Sequence, residues 1–542
     1  LRKSEACLGF LLSFLICASG EGAPGAGDTG PSTWGLHAGS ELFDYDIQKG
    51  ASQEGDFQET VRRNLAWLAS RGYHTLLFDA LDDDGTYWFA SGILEQAGYP
   101  FGGDRLKFFI QEAHRNGIRV FAEPTVLAWN LNPNLRKEHK IQGQPLSLDQ
   151  IMKVIRSLLK EHGADGIVEE TFAQPAIDAI YRLCQELGKT YAHKFGEPFG
   201  HEHVLMSEDY VGYFESQRER DRVDEGAHAN SLGLFNVLFG HSRAMGKPAW
   251  VKTSGGYDFT VGSAANVLLL RAIQFQPEGY FFMRKEESDM RALFELDAKR
   301  LQGLVRKFWK KSEAKPKANL VLCQGVGQAG EAFRDRLVSN AGAVTNALML
   351  AGYDLRVTYD RPLDEADLYY VMALGGEQPE DTADLPSSLI PLFKTSRPVF
   401  FQVLSALPDQ GLWRRMREAF GIRGRAFEAL SRLPEKAEYD GVSFRYGGLD
   451  VWGTGSVLSD LQPEDVEGEA LLKAKLEGKE RVLVSRRGNF HFVNGNILHL
   501  DFNFLFSRLT AKTLERPFPG YGVVGRQSAF FATHEADLAV NL

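Results

Sequence analysis

The sequence is poor in cysteine: four residues in 542, with Cys7 and Cys17 inside the first twenty. Cys184 and Cys323, the pair farther along, are too few for a disulfide framework, and each sits in an apolar pattern that predicts a buried free thiol. Long basic blocks are missing too. The formal net charge is −10, which argues against a nucleic-acid partner, because such partners are held by neutralising phosphate. The densest cationic stretch, Lys307 to Lys317, comes after an amphipathic helix and precedes a strand, and reads as a solvated helix end. No apolar run reaches the ~18 residues that a membrane span requires, and no internal repeat is detectable.

What is present is an ordinary globular composition, 44% apolar and 24% charged, on a chain too long for one core, so two or more domains are expected. Arg2 and Lys3 precede a short apolar run, Ala6 to Ala18, that ends in small residues. This order reads as a secretory signal over 1–20, followed by a Gly/Pro-rich linker over 21–31. The expectation is a secreted or periplasmic protein with no stable membrane insertion after processing.

From Trp34 to Trp309 short apolar runs alternate with amphipathic ones. Strands are predicted at 34–38, 74–80, 118–123, 165–170, 203–209, 249–253 and 279–284, and helices at 57–71, 104–116, 148–162, 175–188, 227–245 and 263–275. Several helices end at Gly before the next strand, at Gly72, Gly117 and Gly163. Repeated βα units imply parallel strands joined by crossover helices, and so many favour a closed (β/α) TIM-type barrel over 32–312. Seven strands are legible and the eighth is not.

A second α/β block comes next, over 317–515. It has strands at 318–323, 354–359, 367–374 and 398–403, helices at 339–352 and 386–396, and an open, flavodoxin-like pattern. Its β-rich C-terminal part holds strands at 480–486, 489–493 and 497–502, with Asn494-Gly495 as a turn signal. Residues 516–542 read as a tail.

Barrel catalysis sits at the C-terminal strand ends, and here those ends carry acids: Asp79, Glu123, Glu169, Glu170, Glu208 and Asp209. Glycoside hydrolysis needs two carboxyl groups, one protonated and one ionised, and crowding acids in one mouth supplies the protonated one. Adjacent strand residues face opposite ways. His37, Lys252, Trp129 and Tyr257 are placed at or beyond strand ends, where they could bind sugar hydroxyls or stack on sugar faces. No cofactor and no metal is required by this set.

The stretches Gly163-Ala164-Asp165-Gly166-Ile167-Val168-Glu169-Glu170 and RVLVSRRGNFHFVNGNILHLDF carry a resemblance to glycoside hydrolases of the retaining TIM-barrel clan. The architecture is similar to that of β-galactosidases with a flavodoxin-like or glutamine-amidotransferase-like trimerisation domain. The resemblance implies a secreted enzyme that cleaves O-glycosidic bonds of an oligosaccharide or polysaccharide. Glu170 looks like the strand-four acid/base of that clan, or the strand-four nucleophile of amylase-type barrels. Glu208 resembles the amylase-type general acid, while a clan-type partner, a Glu ending strand seven, would be sought at Glu286 and Glu287 just past that end; Glu278 begins the strand, at the wrong barrel face. Glu169 stands where the clan has Asn, and Val168 where amylases have Arg. An amidotransferase would carry Cys in the turn after its third strand. Here Val371-Met372-Ala373-Leu374-Gly375-Gly376 has none, so the second domain is expected to serve assembly, with a possible homo-oligomer.

Three other readings stay open. Lys252 suits Schiff-base chemistry if desolvated. His201-Glu202-His203 has the alternate spacing of a metal pair. A degenerate barrel could also persist as a noncatalytic carbohydrate-binding or scaffold protein.

Overall fold

The computed structural model describes residues 33–47, 51–52, 56–169, 174–194, 204–209, 237, 239–254, 279–283, 316–323, 341, 344–345, 348, 353–374, 379–404, 406–424, 426–430, 436–439, 442–445, 458–476, 478–495, 522–523, 528–532 and 537–541. The chain divides into two compact units. The first comprises Leu1–Tyr213, Pro248–Lys311 and Val540–Leu542, and the second comprises Phe214–Lys247 and Ser312–Ala539.

The first unit is a closed barrel of eight parallel strands. They are β1 Thr33–Ala38, β2 Thr75–Asp79, β3 Arg119–Glu123, β4 Gly166–Glu169, β5 Thr190–Lys194, β6 Val204–Asp209, β7 Ala249–Ser254 and β8 Gly279–Met283. The strand hidden in the sequence is β5, Thr-Tyr-Ala-His-Lys. It comes after its helix with only Gly188 and Lys189 between, and it has polar residues at both ends. Nine residues then lead to β6, fewer than the dozen or so a crossover helix needs, so the helix–strand alternation that marks the other strands is missing there. Counting β5 moves each later strand up by one: Glu208 ends the sixth strand, and Lys252 lies on the seventh.

Helices α1 Phe57–Ser70, α2 Leu106–Arg115, α3 Leu148–Lys160 and α4 Gln174–Leu187 match the expected spans. Local chemistry sets their ends. The Asp56 side chain caps α1 by accepting from the Gln58 amide, and Ser147 with Gln150 forms a capping box on α3. Val61, Leu65 and Leu68 of α1 are buried, as are Ile151, Val154, Ile155 and Leu158 of α3. The terminal Gly72, Gly117 and Gly163 have φ of 90°, 70° and 88°, the left-handed turn that stops a helix without Cβ strain.

Inside the barrel, Leu77, Phe121, Val168, Ala192, Trp250 and Phe281, each from a different strand, form one buried cluster. The Trp250 ring meets Phe121 and Phe281 at 5.1 Å between centroids. Gly166 makes room for this layer. A Cβ there would lie 2.2 Å from the Thr190 carbonyl oxygen and 2.6 Å from the Phe121 ring.

The second unit is built on a nine-stranded mixed sheet. Its strands are β9 Lys317–Cys323, β10 Asp354–Tyr359, β11 Leu368–Leu374, β12 Val399–Leu404, β13 Lys436–Tyr439, β14 Val442–Arg445, β15 Glu469–Leu476, β16 Lys479–Arg487 and β17 Phe490–Asn494. Their order is β10-β9-β11-β12-β17-β16-β15-β13-β14. The first five run parallel and the remainder pair antiparallel. Alternate residues of the parallel strands enter two separate cores, Leu320, Leu322 and Met372 on one face and Val321, Val371 and Phe401 on the other. A parallel sheet covered on both faces explains why these strands read as unbroken apolar runs.

Three features of the second unit differ from expectation. The 386–396 helix is a 3-10 segment, Ser387–Lys394, with Pro391 inside it, where an α-helix would need the amide that proline lacks. The helix α5 Gly411–Phe420, not expected from the sequence, covers the second core with Trp413, Met416 and Phe420. Residues 239–245 are helical as expected, yet they belong to the second unit and not to the barrel. There Val237 joins the first core, His241 Nδ1 lies 3.1 Å from the Val357 carbonyl oxygen, and Arg243 pairs with Asp354 at 3.4 Å. Asn494 ends β17, buried and bonded to Ser459 and Val482, and Gly495 follows it with a φ of 91°; the 497–502 strand expected after that turn lies outside the described residues.

The supposed tail holds strands at Gly522–Val523, Ser528–Ala532 and Asp537–Asn541 that form their own small sheet. Both expected thiols are free and buried, and burial pushes Cys184 up to about 12 and Cys323 upward as well. The segments 1–32 and 497–502 and the helix 263–275 lie outside the described residues. No described helix is long and apolar enough to cross a membrane.

Candidate functional site at the barrel mouth

Strand pairing decides which acids share a face. His37 pairs with Leu77, and Asp79 pairs with Glu123. Asp79 lies two residues beyond Leu77 and Glu123 two beyond Phe121, so all three side chains stand on the lumenal face above the aromatic layer. They converge. His37 Nε2 is 3.0 Å from Asp79 Oδ1 and 3.2 Å from Glu123 Oε2. His37 and Glu123 are buried, at 6% and 4% exposure, and the Asp79 side chain opens to solvent at 37%. Thr125 Oγ1 donates to the other Glu123 oxygen at 3.3 Å.

The rim around this trio is held by short-range bonds. Asp82 accepts from Ser40 Oγ at 3.1 Å and from Trp88 Nε1 at 3.0 Å, tying the loop after β2 to the loop after β1. Glu41 accepts from the Gly39 amide at 2.7 Å. Burial raises the Asp82 carboxyl against those two hydrogen bonds, with Asp84 and Asp79 adding repulsion. Asp83 is raised by burial first and by Asp79 next, while His139 and His37 pull it back. A partly desolvated mouth with several carboxyls is therefore in place, and some of them are biased toward the protonated form.

The loop after β3 is fixed by a polar hub. Asn130 accepts from Tyr99, Arg136 and the Leu146 amide, and Arg136 also donates to the Gly143 carbonyl at 2.6 Å. Trp129, next to that hub, stacks on His139 with centroids 3.8 Å apart and planes 14° apart.

The residues expected to form the site thus fall into three groups. His37, Asp79 and Glu123 come together in the lumen, with Trp129 in the adjoining loop. Glu169 does not join them: the same alternation that sends Val168 inward puts Glu169 in the outer wall, fully buried, where it accepts from Tyr191 Oη at 2.5 Å. A carboxylate sealed there cannot reach a substrate in the lumen, which corrects its expected binding role. Glu208 and Lys252 are register partners on β6 and β7, and Asp209 pairs with Thr253. Glu170 and Tyr257, and His201 with His203, lie outside the described residues. Glu41, Asp82, Asp83 and His139 were not expected from the sequence, although the acidic run Asp82-Asp83-Asp84 directly after a strand ending in Asp79 was a usable signal.

No protein-family model matches the sequence, and no curated protein matches it either. Among solved structures, α-L-fucosidase isoenzyme 2 from Paenibacillus thiaminolyticus is similar over 93% of this chain and 87% of that one, with a TM-score of 0.55 and 11% identity. An α-L-fucosidase from Lactobacillus casei matches 51% of this chain and 94% of its own at a TM-score of 0.30 and 9% identity. A maltogenic α-amylase from Thermotoga neapolitana matches 52% and 77% at a TM-score of 0.32 and 13% identity. The chain has an α/β fold similar to that of barrel-type glycoside hydrolases.

Proposed function

We propose that the protein is a glycoside hydrolase that cleaves O-glycosidic bonds of an oligosaccharide or polysaccharide at the C-terminal mouth of the barrel. The observation that carries this reading is the lumenal convergence of His37, Asp79 and Glu123, in a fold that is similar over nearly its whole length to a glycosidase. Hydrogen-bonding side chains at the closed end of an apolar-floored mouth suit a hydroxyl-rich ring, and the Trp129–His139 stack offers a flat aromatic rim. Glu170, the residue after β4 in sequence, and Glu208, at the end of β6, are the proposed carboxylate pair. One protonates the leaving oxygen, and the other attacks the anomeric carbon or activates water. Asp209, Lys252 and Tyr257 remain proposed substrate contacts. The first twenty residues are proposed to export the chain, and the second unit to mediate self-association.

The test is reducing-end release from a broad glycan panel by the parent, Glu170→Gln and Glu208→Gln. Turnover by the parent with a loss of about a thousandfold or more in both variants supports the assignment. Unchanged turnover in either variant removes that residue from the pair. Glycan binding without release, surviving both substitutions, would assign a carbohydrate-binding barrel in place of an enzyme.

A further inference from the structure

At the His37–Asp79–Glu123 corner two carboxyl groups face one imidazole. The two carboxylate oxygens flank one ring nitrogen at 3.0 and 3.2 Å. That nitrogen carries at most one proton, which serves one oxygen well and the other poorly. Two of the three groups, His37 and Glu123, are more than nine-tenths buried, where polar atoms need partners. The far ring nitrogen of His37, Nδ1, is also buried and has no partner among the described residues.

Further carboxyl groups stand around the corner. Glu41 reaches the same corner: a Cβ on Gly39 would lie 2.9 Å from its carboxylate and 3.5 Å from that of Asp79. Asp82 and Asp83 both feel Asp79.

We propose that His37, Asp79 and Glu123 form a site for a single divalent transition-metal ion of the Zn²⁺ or Mn²⁺ type. The geometry supports it. One ligand atom from each residue lies within 4.8 Å of the others. Two donors about 2.1 Å from a common ion and at right angles to it stand about 3.0 Å apart, and the histidine–carboxylate separations have that size. An imidazole with two carboxylates is a mixed donor set that suits Zn²⁺ or Mn²⁺ better than the all-oxygen shell of Ca²⁺ or Mg²⁺. The two carboxylates neutralise the ion, and the open Asp79 side leaves coordination positions for water or a ligand hydroxyl. Thr125, bonded to the second Glu123 oxygen, orients that carboxylate from outside. The site stands on these residues alone and holds whether or not glycosides are hydrolysed.

The experiment uses the purified chain stripped with a chelator and then desalted. Zn²⁺ and Mn²⁺ are titrated separately by calorimetry, and the metal retained after gel filtration is measured by elemental analysis. The expected result is one equivalent of one of these ions, with a higher melting temperature in its presence. Glu123→Gln, which keeps the side-chain shape, and His37→Gln are each expected to weaken binding by about tenfold or more and to remove the thermal shift. Circular dichroism of the metal-free variants separates loss of a ligand from loss of fold. Absence of a retained equivalent for both ions overturns the proposal. So does equal uptake by the parent and a folded Glu123→Gln, which would put the ion elsewhere.

Discussion

Asn64 supports the mouth from below, and its removal makes a sharp prediction. The residue lies on α1 at 1% exposure. Its amide donates to the carbonyls of Leu42 at 3.1 Å and Tyr45 at 2.7 Å, and its oxygen accepts from the Ile47 amide at 3.1 Å. These three bonds pin residues 42–47, the segment that comes after His37 and carries the rim. Asn64→Ala removes all three bonds in a buried setting. An orphaned group costs about 1–3 kcal/mol, and water entering the vacated space recovers part of that, so a net loss of about 3 kcal/mol is expected. At ~2–4 °C per kcal/mol for a domain of this size, the barrel should melt about 6–12 °C lower. Differential scanning calorimetry, resolving the transitions of the two units, is the assay. Asn64→Asp is the informative companion, because it keeps the acceptor for Ile47 but sets oxygen against oxygen at Leu42 and Tyr45; it should be at least as destabilised at neutral pH. A melting temperature for Asn64→Ala within 2 °C of the parent would refute the reasoning (about 0.5–1 kcal/mol on the same scale), since the segment would then be held by something other than this amide.

The same geometry makes other outcomes measurable. Gly166→Ala should cripple barrel folding, because its Cβ would meet the Thr190 carbonyl oxygen and the Phe121 ring well inside contact distance; soluble yield and a lost near-ultraviolet aromatic signal report it. In the second unit, burial first and Arg486 next lower His491 to about 4. A histidine that is harder to protonate when folded than when unfolded contributes its stability above the unfolded value of about 6.5, and that contribution is lost as pH falls toward 4, by up to about 3 kcal/mol. Urea midpoints at pH 7 and pH 4.5 should show this loss, and His491→Phe, which keeps the stack on Phe400, should reduce it. A chain lacking residues 1–31 should show no reaction of Cys184 or Cys323 with a thiol reagent until it unfolds, since both are buried with the thiolate disfavoured.

Much of the fold was legible in the residues. Helices α1 to α4 were readable because apolar spacing, a side-chain cap at α1 and α3, and a closing glycine at α1 to α3 mark them locally. Strands such as β9, β11 and β12 were readable because a two-faced parallel sheet demands continuous apolar runs. Where the local marker was missing, legibility stopped: only nine residues separate β5 from β6, too few for the helix–strand spacing that marks the others, Pro391 turned an expected α-helix into a 3-10 segment, and residues 239–245 carry the same amphipathic pattern whichever unit they pack on. Periodicity reports that a face will be buried and says nothing about what will bury it.

The same division runs through the site. Local sequence is enough to put acids and a histidine at the strand ends, because strand boundaries and the alternation of side chains are local properties. It is not enough to say which of them meet. Asp79 and Glu123 join His37 because β1, β2 and β3 are neighbours in one register, and Glu169 leaves the group because a one-residue step on β4 reverses its side. Register among these three strands is set by pairing such as Gly35 with Thr75 and Thr75 with Arg119, and closure by Thr33 pairing with the far-distant Gly279, through hydrogen bonds and packing that no single stretch of sequence contains. Bringing three strand ends to one point was therefore left to the closed barrel.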